Sequence, residues 1–119
     1  MPFDKQQFLS SLSVRRESVR LPGIAEPILV YEMTGLEHDR FDADTYKVDA
    51  SGKPAFRREH YRARLFVACV KDEQGRPLFG LDDLEAVSAL GTSVLDKVGD
   101  VARRRNALTD ADVVAEAKN

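Results

Sequence analysis

The chain has almost no cysteine, little histidine and no long apolar run, and each scarcity removes a class of protein. Its one cysteine, Cys69, leaves no partner for an internal disulfide and no Cys-based metal cluster. It lies in Leu65-Phe66-Val67-Ala68-Cys69-Val70 and reads as a buried thiol acting as a small hydrophobe. A reactive thiol would need an exposed, electropositive setting. The start, Met1-Pro2-Phe3-Asp4-Lys5-Gln6-Gln7, carries no apolar signal segment, and no run approaches membrane-spanning length. The expectation is a protein that stays in the cytoplasm and engages no membrane.

An excess of one charge is missing as well. The net charge is -2 and the pI is near 5.7, so the whole chain does not advertise nucleic-acid binding. Residues 1–64 hold 11 cationic against 10 acidic side chains, and residues 65–119 hold 7 against 10, so neither half is a basic arm. Arg57, Arg58, Arg62 and Arg64 cluster in one place and Arg103-Arg104-Arg105 in another. Residues 76–100, however, set only Arg76 and Lys97 against Asp82, Asp83, Glu85, Asp96 and Asp100. That surplus repels phosphate, and the arginines read as a solvated face or a charged protein interface.

Catalytic signatures are absent too. There is no Gly-rich phosphate loop, HExxH helix, nucleophile elbow or metal-ligand spacing. His38 and His60 sit among charged residues on predicted helix surfaces. Asp82, Asp83 and Glu85, like Asp110 and Asp112, are accounted for by helix capping. An enzyme needs convergent polar groups with divided roles; without them, the chain reads as a binding protein with no cofactor or metal.

What remains is an ordinary globular composition, 43% hydrophobic and 32% charged over 119 residues. This suits one domain, 1–119, with a single core. Asp4 and Gln7 predict a capping box opening a short helix that ends by Ser13, with Phe3 and Phe8 stapling its start. Strand patterning covers 14–33. A mostly polar strand is followed by the turn Pro22-Gly23-Ile24-Ala25-Glu26-Pro27 and by the stronger strand Ile28-Leu29-Val30-Tyr31-Glu32-Met33, together one β-hairpin. A lone hairpin is marginal in water, so it must pack on helices or on a neighbouring chain.

Thr34-Gly35-Leu36-Glu37 is a second capping box, opening a helix to about Asp44 with Leu36 and Phe41 facing inward. Asp49-Ala50-Ser51-Gly52-Lys53-Pro54 reads as a mobile, protease-sensitive loop. A central helix is predicted over 55–70, its first turns basic and solvated and its second half deeply buried. Asp72-Glu73-Gln74-Gly75-Arg76-Pro77 is a turn with Gly75 at positive φ. Asp82 and Glu85 predict the next helix cap, with Leu84, Val87 and Leu90 facing in. Val94, Leu95, Val98, Val101 and Ala102 mark the cleanest amphipathic helix, closed by Arg103-Arg104-Arg105 where the dipole favours cations. Thr109-Asp110-Ala111-Asp112 predicts a last short helix carrying Val113, Val114 and Ala117. The class is α+β, mostly α, with five or six short helices and one N-terminal β-hairpin.

Several phrases resemble one known family. Asp4-Lys5-Gln6-Gln7-Phe8-Leu9, Val19-Arg20-Leu21-Pro22 and Val30-Tyr31-Glu32-Met33-Thr34 come first. The most telling follows: Arg62-Ala63-Arg64-Leu65-Phe66-Val67-Ala68-Cys69-Val70-Lys71-Asp72-Glu73-Gln74-Gly75-Arg76-Pro77-Leu78-Phe79. Arg105-Asn106-Ala107-Leu108-Thr109-Asp110-Ala111-Asp112-Val113 closes the series. In order and spacing these resemble the tail assembly chaperones of lambda-like and related long-tailed bacteriophages.

The resemblance implies a protein made in the host cytoplasm that keeps the tape measure protein soluble, helps recruit the major tail protein and is absent from the mature virion. It also implies a longer form made by −1 ribosomal frameshifting, which the codons permitted for Ala117-Lys118-Asn119 allow. Many copies along one elongated client imply self-association into an open array, with the basic start of the central helix meeting the acidic 82–100 region of the next copy. The contact residues expected are Leu29 and Tyr31 on the hairpin and Arg58, Arg62, Asp96, Arg103 and Arg104. The alternatives are a structural tail or head–tail connector protein, or a small DNA-binding regulator.

Overall fold

A computed structural model describes residues 4–11 and 14–106. The α+β, mostly helical class stands: among the described residues, five α-helices and a short 3₁₀ helix accompany a three-stranded sheet and a small second hairpin.

Helix α1 is Lys5–Ser11. Asp4 Oδ1 accepts from Gln6 N at 3.1 Å, so Asp4 caps the first turn as its side chain predicts. The staple partner Phe3 lies outside the described residues, as do the terminal helix predicted after Thr109 and its Val113, Val114 and Ala117.

Strands β1 (Arg16–Val19) and β2 (Ile28–Tyr31) form the predicted antiparallel hairpin, in register from Arg16↔Tyr31 to Val19↔Ile28. Val19 and Leu21 are buried while Ser18 and Arg20 stay outside, the half-buried alternation of a sheet with one wet face. The hairpin does not stand alone. Val70–Lys71 pairs with β2 as a third strand, Val30↔Val70 and Leu29↔Lys71.

Helix α2 is Gly35–Thr45. Thr34 Oγ1 accepts from Glu37 N, and Glu37 Oε1 accepts from Thr34 N at 2.8 Å, so both halves of the capping box form. Phe41 is buried as predicted, but Leu36 points to solvent. The loop expected over 49–54 is the turn of a second hairpin, β3 (Tyr46–Val48) with β4 (Pro54–Phe56), so that only Pro54 of it joins a strand. Asp49 Oδ1 organises that turn, accepting from Ser51 N, Ser51 Oγ and Lys53 N, while Gly52 takes φ +83°.

The helix predicted over 55–70 is shorter at both ends: α3 is Tyr61–Cys69. At its start, Phe56 pairs with Tyr46 in the sheet and joins an aromatic cluster. Its ring lies 5.2 Å from that of Tyr61, which in turn lies 5.6 Å from Phe41. Cross-strand pairing and ring packing outweigh helix propensity there. At the other end Val70 and Lys71 leave the helix to pair with β2, forming β5.

Arg64, predicted to be solvated, is buried. Its guanidinium donates to Glu59 O and to Arg57 O at 2.9 Å, supplying partners for carbonyls of the irregular 57–60 connection.

After the predicted 72–77 turn, where Gly75 has φ +79°, comes the 3₁₀ helix Leu81–Asp83 and then α4, Leu84–Ser88. The cap predicted at Asp82 is displaced: Gly80 N donates to Asp83 Oδ2 at 2.8 Å. Val87 is buried and Leu84 half-buried, but Leu90 is exposed.

Helix α5, Thr92–Arg105, has the predicted amphipathic face. Leu95, Val98, Val101 and Ala102 are buried, and Arg103–Arg105 fill the last turn. α5 packs across α3 and the sheet. Leu65, Val30, Val70, Val98 and Cys69 form the fully buried centre, each large aliphatic worth roughly 1.5–3 kcal/mol by transfer.

A candidate partner-binding cleft

Helices α2 and α3 line a cleft of about 230 Å³, with residues from 77–81 forming its third side. The spacing of the two helices sets its walls. Glu37, Arg40, Phe41 and Asp44 share one face of α2, and Arg64, Val67 and Ala68 share one face of α3. Pro77, Phe79, Gly80 and Leu81 complete the lining. Pro77 is held by its bridge to Lys71, and Phe79 by ring packing on Phe66 at 5.4 Å. The Gly80–Asp83 hydrogen bond then turns Leu81 outward, where it is 70% exposed. Leu78 and Leu36, at 57% and 59%, are exposed beside it. Leu36 lies one helical turn from Arg40 on α2.

The charges around this apolar floor are unequally satisfied. Glu37 is committed: Lys71, itself buried, donates to both carboxylate oxygens at 2.8 and 2.6 Å. Burial opposes the charged form of Glu37, but the donations from Lys71 and Thr34 outweigh it and hold its carboxyl below the usual range. Asp44 faces Lys47 at 3.6 Å. Arg64 is lowered by burial and by the neighbouring charge of Arg57. Its Nε is buried without an acceptor among the described residues, and its two side-chain hydrogen bonds go to carbonyls, not to a carboxylate. Arg40, exposed on the rim, has no ion pair among the described residues. The cleft thus offers an apolar floor and two guanidinium groups that no carboxylate among the described residues neutralises at hydrogen-bond distance. Its chemical complement is an apolar helix face carrying acidic residues.

The expected contact residues lie elsewhere. Tyr31 is buried; its hydroxyl donates to Asp72 O at 2.6 Å and accepts from Arg16 Nη1 at 2.9 Å. That bond from Arg16 to Tyr31 raises the guanidinium's pKa. Leu29 is half-buried on β2. Arg58 is exposed in the connection to α3. Arg62 and Asp96 are brought together, but within one chain, so the attraction expected between copies is made internally. Arg103 pairs with Asp100, and Arg104 joins Arg105 on Glu17. The bonds from Arg105 and Arg104 hold the Glu17 carboxyl below the usual range despite partial burial.

The cleft itself was missed. Leu78 and Leu81 were its one visible signal, two leucines in a Pro- and Gly-punctuated segment too short to bury them. His60 Nδ1 lies 2.7 Å from Ser88 Oγ, and His38 faces Asp42 at 3.5 Å. No three His, Cys, Asp or Glu side chains among the described residues are grouped so that they could hold a metal ion, and no described helix is long and apolar enough to cross a membrane.

A solved structure of the bacteriophage HK97 tail assembly chaperone matches the chain with a TM-score of 0.54. The chain has the fold of a phage tail assembly chaperone. The match covers 83% of this chain and 96% of the HK97 protein at 18% sequence identity, a likeness of fold. No family model and no curated protein sequence matches.

Proposed function

We propose that the protein is a tail assembly chaperone of a long-tailed bacteriophage. It acts in the host cytoplasm as a binding protein, not an enzyme, and uses no cofactor. Its client is the tape measure protein, which it keeps soluble while helping to recruit the major tail protein, and it is absent from the finished virion. The observation that supports this reading is the likeness of fold to the HK97 tail assembly chaperone. The cleft between α2 and α3 supplies the physical means: its apolar floor and exposed Leu36, Leu78 and Leu81 suit the exposed stripe of a long helical client. A longer frameshifted form and self-association into an open array belong to the same reading. With Arg62 and Asp96 satisfied internally, the array contact falls to other surfaces, such as Arg58 and the hairpin edge.

The test is a titration of helical segments of the tape measure protein from the same genome, read by fluorescence anisotropy. Binding is expected for at least one apolar segment and should weaken about tenfold or more in Leu81→Asp. No binding by any segment, or equal binding by the variant, counts against the cleft as the client site.

A further inference from the structure

The charges left over around the cleft decide what it accepts. Arg40 is exposed on the rim. The two carboxylates that share its face of α2 are already engaged, Glu37 by Lys71 at 2.6 Å and Asp44 by Lys47 at 3.6 Å. Across the floor, Arg64 lines the cleft and is only 5% exposed. Its hydrogen bonds go to the carbonyls of Glu59 and Arg57, and its Nε is buried with no acceptor among the described residues. Arg57 Nη1 donates to Asp44 O at 3.4 Å, which sets a third guanidinium at this end of α2, again on a carbonyl. Carbonyls satisfy donors without cancelling their charge, so this end of the cleft keeps a positive potential.

That potential discriminates among helices that are equally apolar. A helix apolar throughout would strip water from Arg40 and return no partner. A helix with a lysine there would add repulsion. A carboxylate at the same place turns the cost into a charge-assisted pair, so the cleft rejects the wrong helices as well as holding the right one. We propose that the cleft selects apolar helices that carry a carboxylate one helical turn from a docking leucine, and that Arg40 is the residue that reads it. The inference rests on the reading of the cleft as the client site and names the chemistry of the client segment.

The spacing follows from α2 itself. Leu36 and Arg40 are four residues apart, about 6 Å along the helix axis. A helix lying alongside α2 meets the pair with its own residues at i and i+4. Positions i+3 and i+7 of the same face then reach the apolar floor of Phe41, Val67 and Ala68.

Three synthetic alanine-based helices test this, each with leucines at i, i+3 and i+7 and differing only at i+4, which is Glu, Gln or Lys. Their affinities for the full chain are read by fluorescence anisotropy. The Glu peptide is expected to bind about fivefold more tightly than the Gln peptide, the upper range for a partly exposed pair, and the Lys peptide most weakly. The Glu preference should fade in 1 M salt. In Arg40→Glu the order should reverse, with the Lys peptide tightest, and in Arg40→Gln the three should converge. Reversal separates reading by Arg40 from a merely structural role, which would weaken all three alike. Leu81→Asp should weaken all three and so locate them in the cleft. Equal binding of the Glu and Gln peptides by the parent chain would overturn the proposal, as would an unreversed order in Arg40→Glu with the circular dichroism of the parent retained. No binding of any of the three up to about 1 mM would overturn it too, because the stated pattern would then not suffice. Each of these failures leaves the tape measure titration as a separate result: segments that still bind in a Leu81-dependent way keep the cleft as the client site and remove only its preference for a carboxylate.

Discussion

Arg62 Nη1 lies 2.9 Å from Asp96 Oδ1 and ties α3 to α5 within one chain. Both side chains are about half exposed, so the pair sets orientation more than stability. A double-mutant cycle of Arg62→Ala and Asp96→Ala, read by urea unfolding, should give a coupling of about 0.5 kcal/mol that fades in 1 M salt. A coupling above about 2 kcal/mol would mean that the contact is more buried than the geometry shows. Because the pair is internal, reversing the charge of Arg62 alone should leave the sedimentation coefficient unchanged.

Acid stability should depend on Glu37. Its folded-state carboxyl titrates below the ordinary value of 4.5. It therefore contributes stability that is fully present above about pH 4.5 and is lost as pH falls through the lower folded value. Glu37→Gln keeps a side chain able to complete the capping box but leaves the buried Lys71 without its counter-ion, at a cost of about 3 kcal/mol at pH 7. The gap between parent and variant should narrow steadily below pH 4.5 in denaturant titrations. Adding Lys71→Met should recover most of the loss, since the orphaned charge is gone. A gap that stays constant down to pH 2 would show that the pair makes no charged contribution.

Cys69 should be inert in the folded chain. Burial pushes its thiol up to about 12, with the Asn106 contact opposing only weakly. About one thiol in 10,000 is then ionised at pH 8. Reaction with a chromogenic disulfide reagent should be at least about a hundredfold slower in buffer than in 6 M guanidinium chloride. Comparable rates would place the thiol at the surface.

Core and cleft should separate in their response to truncation. Leu65→Ala, at a fully buried position, should cost about 3 kcal/mol. Leu81→Ala, at a largely exposed one, should change stability by less than about 0.5 kcal/mol while weakening client binding. Equal destabilisation by the two would mean that Leu81 packs into the core and is not available to a partner.

Local chemistry made much of the fold readable. Thr34 and Glu37 signal a cap through side chains that reach only neighbouring backbone, and α5 carries its apolar stripe within one element. Positions decided by distant partners were hidden. Phe56 leaves the helical pattern because Tyr46 and Tyr61 hold its ring, and Val70 leaves it because Val30 offers a strand edge. Arg64 looked solvated because nothing in the sequence shows that Glu59 and Arg57 turn their carbonyls toward it. The cleft was less legible still. Its lining comes from α2, α3 and the 77–81 segment, which are separated in sequence, and the turn at Gly80 leaves no periodic signal.

Co-expression with the tape measure protein of the same genome tests the central claim most directly. With the parent chain present, most of the tape measure protein should remain in the supernatant and co-purify with it; with Leu81→Asp, most should pellet. A tape measure protein that precipitates equally with and without the parent chain would contradict the assignment as a tail assembly chaperone.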